Sequence, residues 1–375
     1  MSDRDCSFAS QAKTQSETLS TPGASSHERS ISPGDSQSQE DITLPDAFPV
    51  TAACSSHPDP PDNPNINTNQ DPTLDEAINL NHVELLTHWL ISKDMFSISI
   101  KDYPQDVSTA VKIGLDAPYL LHQMFAFSAR HLAFLHPERS ASYLHQAVSH
   151  QTRALSLFNS TWTEVDRSNC VATLLFSSIL GHHLLADMLA QREPGGLDTF
   201  LTHYTQCVET NRGIYTLAKA SWPLLMDSEL EPVMRLSSGF TSREPRGKHC
   251  QRVGELVDGS HDLEEQDKEA CRQLIKYLQI GFDAMLSVEK EELAYRYQMI
   301  YSWTMLVPPE FARLVTDKQP EALVLLAYYA LLLHHGRNMW QVGDAGAYIL
   351  GLIVDYLGPE WDHWLEYPRE RVMPS

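Results

Sequence analysis

From Leu74 onward, apolar residues recur every three to four positions, the period that lines one face of an α-helix. No stretch alternates convincingly in the two-residue period of a half-buried strand. The pattern predicts helices at about 75–92, 117–136, 138–158, 167–192, 197–219, 228–237, 264–306, 320–341 and 343–357, with 264–306 broken near its middle. Pro118 opens one helix and Pro137 ends another. Pro194-Gly195-Gly196, Pro308-Pro309 and Gly358-Pro359 mark further stops. The polar stretch 238–263 reads as a surface loop. Residues 1–74, rich in Ser, Pro, Asp, Gln and Asn, lack apolar periodicity and cannot bury enough surface to offset their ordering entropy. The expected architecture is all-α. A disordered tail over 1–74 precedes a single helical domain over 75–375 that encloses an apolar pocket.

Composition narrows the function classes. Of 375 residues, 42% are hydrophobic, so a sizeable core is available. The formal charge of −21 repels a phosphate backbone, so nucleic acid is not an expected partner. The densest basic stretch, Arg243 to Arg252, is broken by Pro245 and Gly247. Six cysteines at 6, 54, 170, 207, 250 and 271 form no Cys-x-x-Cys pair, which argues against zinc clusters and disulfide frameworks. The N-terminus has no apolar h-region. The apolar run Ala322–Leu333 is too short for a bilayer, and His182, His183 and Asp187 interrupt the longer one from Cys170 to Leu189. A cytoplasmic protein without a membrane partner is expected.

The string Asp283-Ala284-Met285-Leu286-Ser287-Val288-Glu289-Lys290-Glu291 carries the most specific chemistry. Asp283, Ser287 and Glu291 are spaced by four, so on one helix they share an arc of about 80°. Two carboxylates and a hydroxyl make an oxygen site suited to Mg²⁺. Lys290 lies beside Asp283 on that stripe and offers a cation to a phosphate shared with the metal. The plainer alternative is a solvated helix face, where such pairs are common.

A broader likeness comes from Pro308-Pro309-Glu310-Phe311, the run Pro320 to Tyr329, Gly343-Asp344-Ala345-Gly346 and Tyr356 to Trp361. Asn169-Cys170 through Asp187, Asn211-Arg212-Gly213 and Ser221-Trp222-Pro223 extend it. Over nearly all of 80–368 the chain resembles the ligand-binding region of fungal zinc-cluster regulators of the sterol-uptake type. Those regulators carry a six-cysteine zinc cluster ahead of this region, and this sequence has no such pattern. The 283–291 string resembles the second metal motif of class I terpene cyclases, usually Asn-Asp-x-x-Ser-x-x-Lys-Glu in fungi. The combination is similar to the fungal α-humulene synthases of tropolone–sesquiterpenoid pathways.

That resemblance implies a sesquiterpene cyclase converting farnesyl diphosphate to a humulene-type hydrocarbon, with Mg²⁺ as cofactor. Asp283, Ser287 and Glu291 would hold one metal, with Asp187 the candidate for a second. Lys290 would be the catalytic cation. Arg212, Arg337 and Asn338 are further candidates for the diphosphate. Phe176, Trp303, Tyr328 and Trp340 are candidate pocket walls, and also ordinary core aromatics. The usual Asp-Asp-x-x-Asp box is missing and Ala284 replaces the customary second acid, so the metal count is open. Paired histidines at 182/183 and 334/335 point to different helix faces, which disfavours a zinc site. A homodimer is compatible with this reading. The alternative is a transcriptional co-regulator or a sterol- or lipid-binding module without its own zinc cluster, nuclear in the first case.

Overall fold

The computed structural model describes residues 78–92, 94–96, 107–161, 164–192 and 194–372. The expected tail over 1–74 lies outside them. Among the described residues every regular element is helical. In chain order these are α1 (Leu80–Ile91), α2 (Val107–Asp116), α3 (Pro118–Leu135), α4 (Ser140–Thr161), α5 (Cys170–Ala190), α6 (Gly196–Ala220), α7 (Trp222–Leu225) and α8 (Glu231–Thr241). There follow α9 (Gln251–Gly259), α10 (Glu265–Leu286), α11 (Gln298–Leu306), α12 (Pro309–Thr316), α13 (Pro320–His335), α14 (Ala345–Leu357) and α15 (Asp362–Val372). Short 3₁₀ turns cover Pro137–Arg139, Lys290–Tyr295 and Pro359–Trp361.

The larger apolar cluster is built around α13. Every residue from Glu321 to Leu333 is buried, as expected of a helix apolar on all sides. Pro320 starts it at a position that needs no N–H donor. Glu321 is tolerated inside because it sits at the positive end of the helix and accepts hydrogen bonds from Ser260 Oγ (2.6 Å) and Gln319 Nε2 (3.1 Å). α9, α10, α12, α14 and α15 pack around it. A second cluster joins Trp89, Leu120, Phe127, Phe158, Phe176 and Leu180 from α1, α3, α4 and α5. Trp340 Nε1 and Gln341 Nε2, just after α13, both donate to the Met95 carbonyl (3.0 and 3.1 Å), tying the two regions together. α5 is long and apolar enough to cross a membrane, but 61% of its apolar window is buried, and it packs on α3 and α6.

Two element boundaries and one placement need correction. The stretch 238–263 is not a loop: α8 reaches Thr241 and α9 occupies Gln251–Gly259, leaving a short irregular connection. The helix expected to 341 stops at His335, where Gly336 accepts the turn. Most consequential is where the expected break in 264–306 falls, since it takes Ser287, Lys290 and Glu291 off the helix that carries Asp283. α10 ends at Leu286, and Ser287 has extended backbone (φ −66°, ψ 142°). Glu289, Glu291 and Glu292 crowd what would be the negative end of the helix dipole, an unfavourable place for carboxylates. Ser287 Oγ accepts from the Glu289 N–H (3.1 Å), a local bond that competes with further helix.

α13 and α14 meet at a close approach. A Cβ on Gly346 would lie 2.4 Å from the Ala330 carbonyl oxygen and 2.5 Å from the His334 nitrogen, both backbone atoms of α13. Gly346→Ala is expected to cost about 1–3 kcal/mol by overpacking. Gly213→Ala on α6, where a Cβ meets nothing within 4 Å, is expected to gain about 0.5–1 kcal/mol. Urea midpoints of the two variants, moving in opposite directions from the wild type, check both.

Candidate functional site

Asp283 sits one turn from the end of α10, half-buried. Its Oδ2 accepts from the Arg246 N–H (2.6 Å), and its Oδ1 accepts from the Gly247 N–H (3.0 Å) and Gln279 Nε2 (2.7 Å). Gln279 in turn accepts from the Cys250 N–H (2.9 Å) through Oε1. A Cβ at Gly247 would lie 2.4 Å from Asp283 Oδ1 and 2.5 Å from Gln279 Nε2, so a larger residue there would displace this pair. Asp283 and Gln279 therefore pin the 246–250 chain to α10. A carboxylate that already receives three N–H donors has little left for a cation.

The rest of the expected ladder leaves the stripe. Because α10 stops at Leu286, Ser287 and Lys290 lie in the connector to α11, and Lys290 is exposed. Glu291 falls in the 3₁₀ turn Lys290–Tyr295, and its side chain lies outside the described set. The connector is held by basic groups. Arg296 Nη2 donates to the Ser287 carbonyl (3.1 Å), while Arg243 pairs with buried Glu292 and lies 4.1 Å over the Tyr295 ring.

Asp187 does not face this region. It is on α5, where Arg130 Nε donates to Oδ1 at 2.6 Å and His183 Nε2 lies 3.4 Å from Oδ2. Arg130 also donates to the Ala186 carbonyl (3.3 Å). α5 packs on α2, α3, α6 and α7, whereas α10 packs on α9, α11, α12 and α13. The two acids are thus not opposed across a shared hollow. Among the described residues, no group of three or more His, Cys, Asp and Glu is placed to hold a metal ion.

The expected phosphate grips are scattered. Arg337 is exposed and donates to the His334 carbonyl (3.0 Å), with Asn338 exposed beside it. Arg212 on α6 is half-buried, and its Nη1 is a buried atom without a partner; so is Arg296 Nε. The expected pocket aromatics divide between two cores. Trp303 stacks on Tyr329 at 4.7 Å and donates to Tyr204 Oη at 2.9 Å. Tyr328, adjacent on α13, faces the other way and stacks on Tyr367 at 5.9 Å. Phe176 stacks on Phe158 at 4.5 Å, and Trp340 lies 4.7 Å over His131. These four do not line one cavity. His182 and His183 do diverge: His182 Nδ1 donates to the Ser178 carbonyl (2.7 Å), while His183 Nδ1 accepts from Gln123 Nε2 (3.3 Å).

A cleft of about 530 Å³ that the sequence reading missed lies between the end of α2, the start of α3, the end of α4 and the start of α5. Its floor is apolar and aromatic, with Ile113, Tyr119, Phe158 and Val171. Tyr119 meets Phe158 and Phe176 edge-on at 5.3 Å each. Burial pushes its hydroxyl pKa up, opposed by a hydrogen bond with Thr173. The rim is polar and mixed in charge, with Asp116, Arg167, Asn169 and Glu229. Asp166 shapes that rim. It accepts from the Ser168 N–H (2.7 Å), the Ser168 hydroxyl (2.6 Å) and the Asn169 N–H (3.2 Å), which together hold its pKa down. The one cue in sequence was Asp166-Arg167-Ser168-Asn169, a capping cluster ahead of an apolar helix. A second hollow of about 460 Å³, at Glu265, Glu269 and Glu310, is an open acidic dish. Neither hollow touches the 283–291 string.

No protein-family model, curated protein or solved structure matches this chain.

The partners of Asp283 and Lys290 give a direct test. Asp283→Ala is expected to cost about 2 kcal/mol, the scale of hydrogen bonds to a charged group, and to speed exchange of the Arg246 and Gly247 amides. Lys290→Ala is expected to leave the urea midpoint within about 0.5 kcal/mol of wild type. Millimolar Mg²⁺ is expected to leave the wild-type melting temperature unchanged.

Proposed function

We propose that this chain is a helical binding module that takes up a small amphipathic molecule, in the manner of the ligand-binding regions it resembles. One observation carries the reading: a cleft of about 530 Å³ joins an aromatic floor, Tyr119 and Phe158, to a charged rim, Arg167 and Glu229. That volume lies in the range of small-molecule sites, and polar side chains, among them Asp116, Asn169 and Thr173, share the lining with the aromatic floor. A sterol or a long isoprenoid alcohol has the matching chemistry, an apolar body with one polar end. Partnering of the acids supports binding over catalysis, because Asp283 and Asp187, two of those expected to gather Mg²⁺, already have protein partners.

Ligand uptake is measurable by thermal shift. At a hundredfold excess over Kd, a bound ligand is expected to raise Tm by about 5 °C. Tyr119→Ala is expected to abolish the shift and Arg167→Ala to reduce it. No shift with sterols, farnesol or farnesyl diphosphate, at concentrations up to their solubility, rejects the module reading.

A second reading, Mg²⁺-dependent cyclisation of farnesyl diphosphate, is favoured by a different observation. Arg296 Nε and Arg212 Nη1 are buried donors without an acceptor among the described residues, and Arg296 holds the Ser287 carbonyl near exposed Lys290. A buried donor left unpaired costs about 1–3 kcal/mol, and a diphosphate would satisfy such groups. Lys290 and Arg296 would then grip the leaving group while apolar walls shield the cation. Asp283 would have to release the Arg246 and Gly247 amides before taking a metal. Incubation of purified protein with farnesyl diphosphate and Mg²⁺, with analysis of the hydrocarbons formed, separates the readings. Cyclisation predicts a humulene-type product that falls at least about a hundredfold in Lys290→Ala, the scale of losing one electrostatic contact to the reacting group. A wild-type protein that makes no hydrocarbon rejects this second reading.

A further inference from the structure

Helix α1 is seated on the α3–α4 hairpin by histidine–histidine contacts at both of its ends. At one end His88 Nε2 lies 3.0 Å from His131 Nδ1 on α3. At the other, His82 stacks on Phe125 at 5.2 Å and lies 5.2 Å from the His150 ring, whose Nδ1 is 3.0 Å from His122 Nδ1. Leu85 between them and Trp89 just after His88 are buried, and Glu84 accepts from Tyr143 Oη (2.8 Å) and Arg139 Nη1 (3.2 Å). We propose that α1 is an acid-released latch, held down while the His88–His131 and His122–His150 pairs are neutral and undocked when protons accumulate on them.

Two nitrogens 3.0 Å apart can share one proton and not two, since one must donate and the other accept. Full protonation of either pair sets N–H against N–H. The surroundings add repulsion and little relief. Around His88 and His131 the charged groups are His136, which disfavours a charge on His88, and Glu84, which favours one. Trp340 covers the His131 ring at 4.7 Å. Around His122 and His150 the neighbouring groups are His82, which disfavours a charge on both, and Arg153, which disfavours one on His122. Burial, then neighbouring histidines, push the pKa of His131 and of His150 down to about 4; burial also lowers His88 and His122. Where α1 itself supplies the contact, as at His88–His131, folded values below the free value of about 6.5 mean the docked state binds fewer protons than the undocked one. The His122–His150 pair joins α3 to α4 and contributes through the cover that His82 gives it. The docking energy is therefore complete above pH 6.5 and declines as pH falls from there towards about 4. Release uncovers Leu85, Trp89 and their seat, including Phe125, Leu132 and Tyr143.

Hydrogen exchange on the full chain at pH 7 and pH 5, corrected for intrinsic rates, reads the latch. Amides of 83–91 are expected to lose protection at least about tenfold more than those of buried α13, the scale of one histidine titrating from 6.5 towards 4. His131→Gln with His150→Gln keeps neutral hydrogen-bonding groups and is expected to flatten the response. If that variant does not fold at pH 7, His122→Gln alone, at a half-buried site, is expected to weaken it. The latch is rejected if α1 keeps its protection at pH 5, if α1 and α13 lose it together, or if the glutamine variants respond like wild type.

Discussion

The complete burial of α13 is the constraint from which the rest of the larger core follows. A helix with no polar face has to be enclosed on every side, so α9, α10, α12, α14 and α15 must surround it. Enclosure at that density demands small residues where backbones meet, which is why Gly346 crosses α13 against the Ala330 carbonyl. It also consumes the aromatic side chains. Tyr329 goes to Trp303 and Tyr328 to Tyr367, on opposite faces, leaving neither free to wall a hollow.

Charge follows the same logic at the end of α10. The chain is strongly acidic, yet its half-buried and buried carboxylates are distributed singly, each beside its own donors. Asp283 takes two backbone amides, Asp187 takes Arg130, Asp267 takes Arg313, and Glu292 takes Arg243. Dispersal lowers mutual repulsion and satisfies each desolvated oxygen. A divalent-metal site requires the opposite, acids brought together and left short of partners until the ion arrives.

The helical fold was legible because it rests on periodicity, proline and glycine, which act locally. Pro118, Pro309 and Pro320 each stand at the first position of a helix, and most expected helices end within a few residues of the observed ones. The site was not legible because it turns on a local competition that spacing ignores. Asp283, Ser287 and Glu291 share a face only if the helix continues, and the acids after Leu286 together with the Ser287 hydroxyl stop it. The acid run was visible in the sequence and, read as a dipole penalty, it argues for the stop. The partners of Asp283 were not visible, since Arg246 and Gly247 lie 37 and 36 residues away. The histidine contacts under α1 were equally hidden, because His88 and His131 are 43 residues apart.

The charged groups left unsatisfied inside the described residues are arginine donors. No carboxylate oxygen is among the buried side-chain atoms without a partner in the described residues, whereas Arg212 Nη1 and Arg296 Nε are. An unpaired buried donor is stabilised by an acceptor, and a cation can do nothing for it. At these two arginines the unmet demand is for an anion or a carbonyl, while the open buried oxygens are amide and hydroxyl groups such as Gln123 Oε1 and Gln341 Oε1. A ligand with an apolar body and an oxygen-rich end fits that demand, whether it is held at Tyr119 and Arg167 or at Arg296 and Lys290. The two places differ in consequence. An end group at Arg167 meets an exposed guanidinium that already pairs with Asp227 (2.6 Å) and so gains only a screened contact. An end group at Arg296 would relieve a donor that folding has already desolvated, and affinity there would be correspondingly greater.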